Sequence, residues 1–280
     1  NLVTAETAND HWLHEGFATF YALLAEREIF GDDYYYWKLY QSAEQLKELS
    51  DQGKGEKVTK ANASSLTYYQ KGAWALHILR EKVGKEAFNT AVKNYLEQYK
   101  FKTATTSNFI AEVEAAANLD LSDFMAKWLN QTAFQGFAAL NSLKNSEFIK
   151  KHLEIIALRE TPLEKKEEVL SAALDFPVSD YTGQEVVYQL AGETSETAIK
   201  LYKKAFETNN IYVRQAIATS LERIPKQLKS EFESLLDDES YLTKEVALLK
   251  LWMNFPQEVS TYLDKTKGII GFTNKKVRML

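Results

Sequence analysis

The chain has 280 residues, 45% of them hydrophobic, and no cysteine, which is enough for one large or two ordinary domains around a substantial core. A formal net charge of −5 with 34 scattered basic residues offers no electrostatic footprint for nucleic acid or an anionic membrane surface. The lack of cysteine excludes disulfides and thiolate metal sites, so a transition metal would need His, Asp or Glu ligands. No apolar run reaches the roughly 18 residues of a membrane span. The opening stretch NLVTAETAND lacks an initiator Met, a basic n-region and an apolar h-region, and is read as a piece whose natural N-terminus is missing.

Apolar residues recur at helical spacing almost throughout, so the fold is expected to be all-α. Trp12, Leu13, Phe17, Phe20, Tyr21 and Leu24 make a first helix that should end near Gly31, where Asp32 or Asp33 is placed to cap the next one. The aromatic run YYYWKLY at Tyr34–Tyr40 is assigned to packing rather than to a ligand cage. Asp51–Ser65 is polar and glycine-containing, an exposed loop feeding a helix from about Leu66 to Val83. All four prolines, Pro162, Pro177, Pro225 and Pro256, lie in the second half, which puts a domain boundary at about residues 137/138.

Beyond that boundary a weak repeat is visible. YTGQEVVYQL, YVRQAIATSL and YLTKEVALLK begin at Tyr181, Tyr212 and Tyr241, with amphipathic segments such as ETAIKLYKKAF between them. Pro225 and Pro256 follow the last two copies. The pattern is that of stacked helix pairs, a HEAT-like or armadillo-like array over residues 138–280.

The chemistry-bearing cluster is HWLHEGF at His11–Phe17. Its order, H-x-x-H-E, matches neither H-E-x-x-H nor H-x-x-E-H. On a helix, Glu15 shares a face with His11, Ala18, Thr19 and Ala22, and a carboxylate among alanines suits a place where another helix comes close. His77 is assigned to the core or its edge, and His152 to an ordinary helix position.

NDHWLHEGFATFY resembles the M1 family of zinc aminopeptidases, in the segment written W-x-D-x-W-L-N-E-G-F-A that carries the family's third zinc ligand. Asp10, Trp12, Leu13, Glu15, Gly16, Phe17 and Ala18 match it, and His14 stands where the family has Asn. In the family the other two ligands belong to an H-E-x-x-H motif upstream, at a distance that here falls before Asn1. YYQKGAWALHILR at Tyr68–Arg80 is similar to the family's Y-[ED]-K-G-A-x-x-L segment, whose tyrosine hydrogen-bonds the oxyanion of the tetrahedral intermediate, and by position that tyrosine is Tyr69. LSDFMAKWLNQ at Leu121–Gln131 resembles the segment that ends the catalytic domain.

The resemblance implies that residues 1–137 are the helical half of a thermolysin-like catalytic domain. Glu15 would be a zinc ligand, Tyr69 the oxyanion donor, and His11, His14 and Thr19 hydrogen-bonding neighbours of the ligand. Peptides would be the substrates, and the remainder of the parent chain a partner. With one ligand of three, the chain by itself is expected to hold no stoichiometric zinc and to be inactive, with the surface around Glu15, Ala18 and Ala22 exposed, or covered by a rearranged loop or a second copy of the chain. The competing reading is a non-catalytic helical-repeat scaffold for protein binding derived from a peptidase. Compartment, oligomeric state and side-chain preference are not readable from these patterns.

Overall fold

Helical periodicity is realised along nearly the whole chain in the computed structural model, which describes residues 2–271 and 276–279. The fold is all-α, and two-residue strands, β1 (Thr4–Ala5) and β2 (Thr103–Ala104), pair in parallel. Among the described residues no helix is long and apolar enough to cross a membrane. The chain divides into two compact units, Asn1–Lys150 and Lys151–Leu280. The division falls later than the prolines suggested, because the helix after residue 135 packs back on the first unit.

The first unit runs α1 (Trp12–Asp51), a π-helical turn (Thr67–Lys71), α2 (Gly72–Val83), α3 (Lys85–Gln98), α4 (Thr106–Ala117), α5 (Ser122–Phe124), a second π-helical turn (Met125–Leu129), α6 (Gly136–Leu143) and the start of α7 (Glu147–Ile156). Helix α1 is two helical halves joined at Gly31, whose φ of 87° and ψ of 177° break the helical path, a conformation that glycine reaches at least cost. The expected cap is not used there: the Asp32 carboxylate is held by the Arg27 guanidinium at 2.7 and 2.9 Å. Helix α4 begins with a reciprocal capping box between Thr105 and Asn108.

Helix α2 is the centre of this unit, with Gly72–His77 and Leu79 all buried. Trp74 stacks on Trp128 of the second π-helical turn, with ring centroids 6.4 Å apart, and its indole N–H donates to Ser42 of α1 at 3.0 Å. From the aromatic run, Tyr35, Leu39 and Tyr40 are buried, as packing residues should be.

The second unit holds the rest of α7, then α8 (Leu163–Ala173), α9 (Asp180–Gln189), α10 (Glu196–Glu207), α11 (Ile211–Ser220), α12 (Lys229–Glu233), α13 (Tyr241–Asn254), α14 (Val259–Thr266) and α15 (Lys276–Met279). Helices α9, α11 and α13 carry the three repeat segments, and each packs on the next in that series, while α8 packs on α10. Polar side chains link successive copies at similar separations: Gln189 to the Ile155 carbonyl, Lys250 to the Thr219 carbonyl and Asn254 to the Glu222 carbonyl. Ser179, Ser195, Asn210 and Ser240 cap α9, α10, α11 and α13.

His77, assigned to the core or its edge, and His152 are both buried. His77 is buried with its ring nitrogens 2.8 Å from the Tyr35 and Ser142 hydroxyls. Burial, helped by Arg80 and Arg27, pushes its imidazole down to about 3. His152, assigned to an ordinary helix position, lies on α7 and is 2% exposed, and burial lowers it to about 4. A folded-state value below the unfolded 6.5 means that stability is complete above pH 6.5 and is lost as the unfolded chain takes up a proton that the folded chain refuses. For His77 that loss should reach about 2 kcal/mol by pH 5. The urea midpoint, followed from pH 7 to pH 5, should fall less steeply in His77→Gln than in the wild type. Equal slopes would show that this imidazole is not the neutral buried group described.

Candidate functional site

The segments carrying Glu15 and Tyr69 meet where α1 crosses the junction of the first π-helical turn and α2. A Cβ placed on Gly16 would lie 3.1 Å from the Gly72 carbonyl carbon, and one on Gly72 would lie 3.1 Å from the Gly16 Cα. Only glycine at both positions lets the two backbones come so close. Glycine inside a helix costs roughly 1 kcal/mol against alanine, so the close approach is what these two glycines provide.

The crossing brings Glu15 and Tyr69 side by side. The Glu15 carboxylate lies close enough to the Tyr69 hydroxyl to raise the phenol's pKa above its ordinary value, chiefly by favouring the protonated phenol as a hydrogen-bond donor, with a smaller effect of desolvation. Tyr69 is 42% exposed, whereas its neighbour Tyr68 points inward and donates to the Lys60 carbonyl at 2.7 Å. The turn between them explains the reversal: the Gly72 N–H reaches back five residues to the Thr67 carbonyl, which re-aims side chains relative to an ordinary helix.

The other candidates separate. His11 keeps beside the carboxylate, its Nε2 3.5 Å from Glu15 Oε1, and its ring meets Tyr68 edge-on. His14 turns away, and its Nε2 accepts the Ala5 N–H at 3.0 Å. Burial first, and then His11, lowers its pKa. His14 therefore ties β1 to the helix through its ring nitrogen. The Thr19 hydroxyl donates to the Glu15 main-chain carbonyl at 2.8 Å, so it serves the helix and not the carboxylate. Ala18 and Ala22 are exposed, and the close helix approach is made by Gly16 instead.

Residues that pattern reasoning passed over hold this arrangement. Asp10 is buried and accepts from the Thr106 N–H at 2.7 Å, the Thr106 hydroxyl at 2.9 Å and the Thr7 hydroxyl at 2.6 Å. Burial pushes its carboxyl upward, but these bonds together outweigh it and the net value is lowered. The Trp12 indole donates to the same Thr106 hydroxyl, which locks the start of α1 to the start of α4. The loop after α1 is not wholly exposed either. Val58 is fully buried, and the Glu56 carboxylate is held to about 2, chiefly by Lys60 and against the effect of burial, with Ser64 and Thr67 adding bonds. The available signal was a glycine or a charge standing among apolar helix positions, which marks a close approach or a buried contact.

Residues 1–128 match the model of the Peptidase family M1 domain. Over 160 residues the chain is 32% identical to bovine (Bos taurus) glutamyl aminopeptidase, a match covering 52% of this chain and 16% of that protein. It is 28% identical over 155 residues to the human (Homo sapiens) glutamyl aminopeptidase, covering 50% and 15%. To a probable aminopeptidase 1 of Sulfurisphaera tokodaii it is 26% identical over 174 residues, covering 59% and 22%. The matched part of the chain thus spans 15–22% of the length of these relatives.

Gly16→Ala should lower stability, because the added methyl meets main chain rather than a movable side chain, and overpacking of about 1–3 kcal/mol exceeds the helix-propensity gain. Thermal unfolding of Gly16→Ala and Gly72→Ala measures this. Melting temperatures at or above the wild type would show that the two segments separate at no cost.

Proposed function

Residues 1–128 belong to peptidase family M1, and from that premise we propose that this chain contributes one side of the active site of a zinc-dependent aminopeptidase that removes N-terminal residues from peptides. The observation that carries the reading is the close crossing of Gly16 and Gly72, which brings the adjoining Glu15 and the solvent-facing Tyr69 near one another. Two residues far apart in sequence, each matching a functional position of the family, converge on one spot.

M1 peptidases are generally zinc-dependent, and a catalytic zinc of this type takes three protein ligands and leaves a fourth place for water. Among the described residues no group of three or more His, Asp or Glu side chains is arranged to hold a metal. Glu15 fits one anionic ligand, and the residues here do not fit the complete site. When bound, such a metal lowers the pKa of its water and polarises the scissile carbonyl.

The part assigned to this chain's own groups is positional and electrostatic. Tyr69 offers an O–H on a turn pinned at both ends, so that it can donate to a developing oxyanion without first being ordered. His11, edge-on to Tyr68 and beside Glu15, orients the carboxylate from the other side. The repeats of the second unit supply the helical array that follows the catalytic part.

In a zinc-loaded protein containing the full site, Tyr69→Phe should keep the metal and lower kcat about 10²-fold with little change in KM. Glu15→Ala should lose the metal. Metal content read beside aminoacyl-anilide kinetics checks both; turnover indifferent to either change would remove that residue from the mechanism, and absence of any turnover in the metal-loaded wild type would favour the non-catalytic scaffold.

On the 280-residue chain alone, calorimetric zinc titration should find no stoichiometric tight site, because one carboxylate offers too few ligands. A tight site that weakens in both Glu15→Ala and His11→Ala would make His11 a ligand and overturn the half-site reading.

A further inference from the structure

Lys71, two residues after Tyr69, is 2% exposed, and its ammonium donates to main-chain carbonyls. Nζ lies 2.6 Å from the Glu56 oxygen, 2.8 Å from Gln131, 3.0 Å from Thr132 and 3.5 Å from Ala133. Burying an ammonium is costly even when each proton finds an acceptor. A methionine would fill the space without that cost. The cation is therefore there for the bonds, and the bonds join three segments: the loop after α1, the chain after the second π-helical turn, and the turn that carries Tyr69.

The neighbouring contacts tighten the same junction. The Val58 N–H donates to the Leu129 carbonyl at 3.0 Å, and the Thr67 hydroxyl donates to the Glu56 carboxylate at 3.2 Å. A Cβ on Gly55 would overlap the Thr132 carbonyl. Thr67, Tyr68 and Lys71 thus fasten the turn on its inner side and leave Tyr69 facing out. An isolated π-helical turn is a strained element that persists only when its surroundings determine it.

We infer that Lys71 is a positioning residue for Tyr69: by clamping the carbonyls of residues 56, 131 and 132 to the π-helical turn, it holds the Tyr69 phenol against Glu15. The importance of that position for catalysis rests on the reading of Tyr69 as the oxyanion donor, while the geometry itself belongs to this chain.

The test places 3-fluorotyrosine at position 69 of the whole chain and follows its fluorine resonance. In the wild type the line should shift on Glu15→Gln, because the carboxylate adjoins the phenol. In Lys71→Met, with helicity retained by circular dichroism, the line should move toward that of a free exposed tyrosine and lose its response to Glu15→Gln. The chain has no cysteine, so Lys71→Cys can be aminoethylated in denaturant and refolded, which restores an ammonium on a side chain of lysine's length. The Glu15 response should return. A merely structural lysine would lower the melting temperature and leave that response in place. Where Lys71→Met does not fold, Lys71→Gln is read in the same way. A full response to Glu15→Gln in a folded, ammonium-free variant overturns the inference whatever the turnover. If instead Tyr69→Phe keeps full activity while the fluorine result holds, it is the catalytic reading that fails.

Discussion

The contact of Gly16 with Gly72 is the constraint on which the candidate site depends. Two backbones meet with main-chain carbon separations that leave no room for a side chain, and every group of interest hangs from one or the other. Glu15 precedes the first glycine, and Tyr69 lies one turn before the second. With larger residues at the crossing the helices would stand further apart, and the hydroxyl would no longer reach the carboxylate. Stability is given up at both positions, since glycine is a poor helix residue, and proximity is what is obtained for it.

Polar groups, more than apolar ones, then fix the register of the segments around that crossing. Apolar packing is nearly indifferent to small shifts, but a buried donor without its acceptor is costly. Asp10 on Thr106, Trp12 on the same hydroxyl, Trp74 on Ser42, His77 between Tyr35 and Ser142, and Lys71 among its carbonyls each hold a pair of segments in one alignment. All five join stretches that the sequence keeps far apart. The second unit uses the same device at its repeat junctions, where Arg214 pairs with Asp238 at 2.6 Å and Asn210 with Asp180 at 2.6 Å.

The consequence for chemistry is a rigid inner side and an open outer one. Tyr68, Thr67 and Lys71 face inward with their hydrogen bonds made, while Tyr69 and the face of α1 that carries Ala18 and Ala22 remain in contact with solvent. A donor held on such a turn needs little reorganisation to meet developing charge, which is the condition under which hydrogen-bond stabilisation is most effective.

Much of the architecture was local and therefore legible. The helical content, the break at Gly31 and the helical character of the three repeat segments all follow from periodicity and from residues acting on their near neighbours in sequence. Glu15 and Tyr69 could be singled out for another reason: each stands in a short run resembling a known segment. The sequence did not determine which neighbours these residues would have. His14 went to the Ala5 N–H, Asp32 to Arg27 and Thr19 to its own helix, while Lys71 and Asp10 took the structural roles. Local periodicity specifies which face of a helix is apolar, but not which backbone will lie against it, and the Gly16–Gly72 and Lys71–Gln131 contacts span more than fifty residues of chain. Where a polar group sits within reach of several partners, the tertiary packing selects the one it bonds, because only the folded arrangement decides which of them is kept from water.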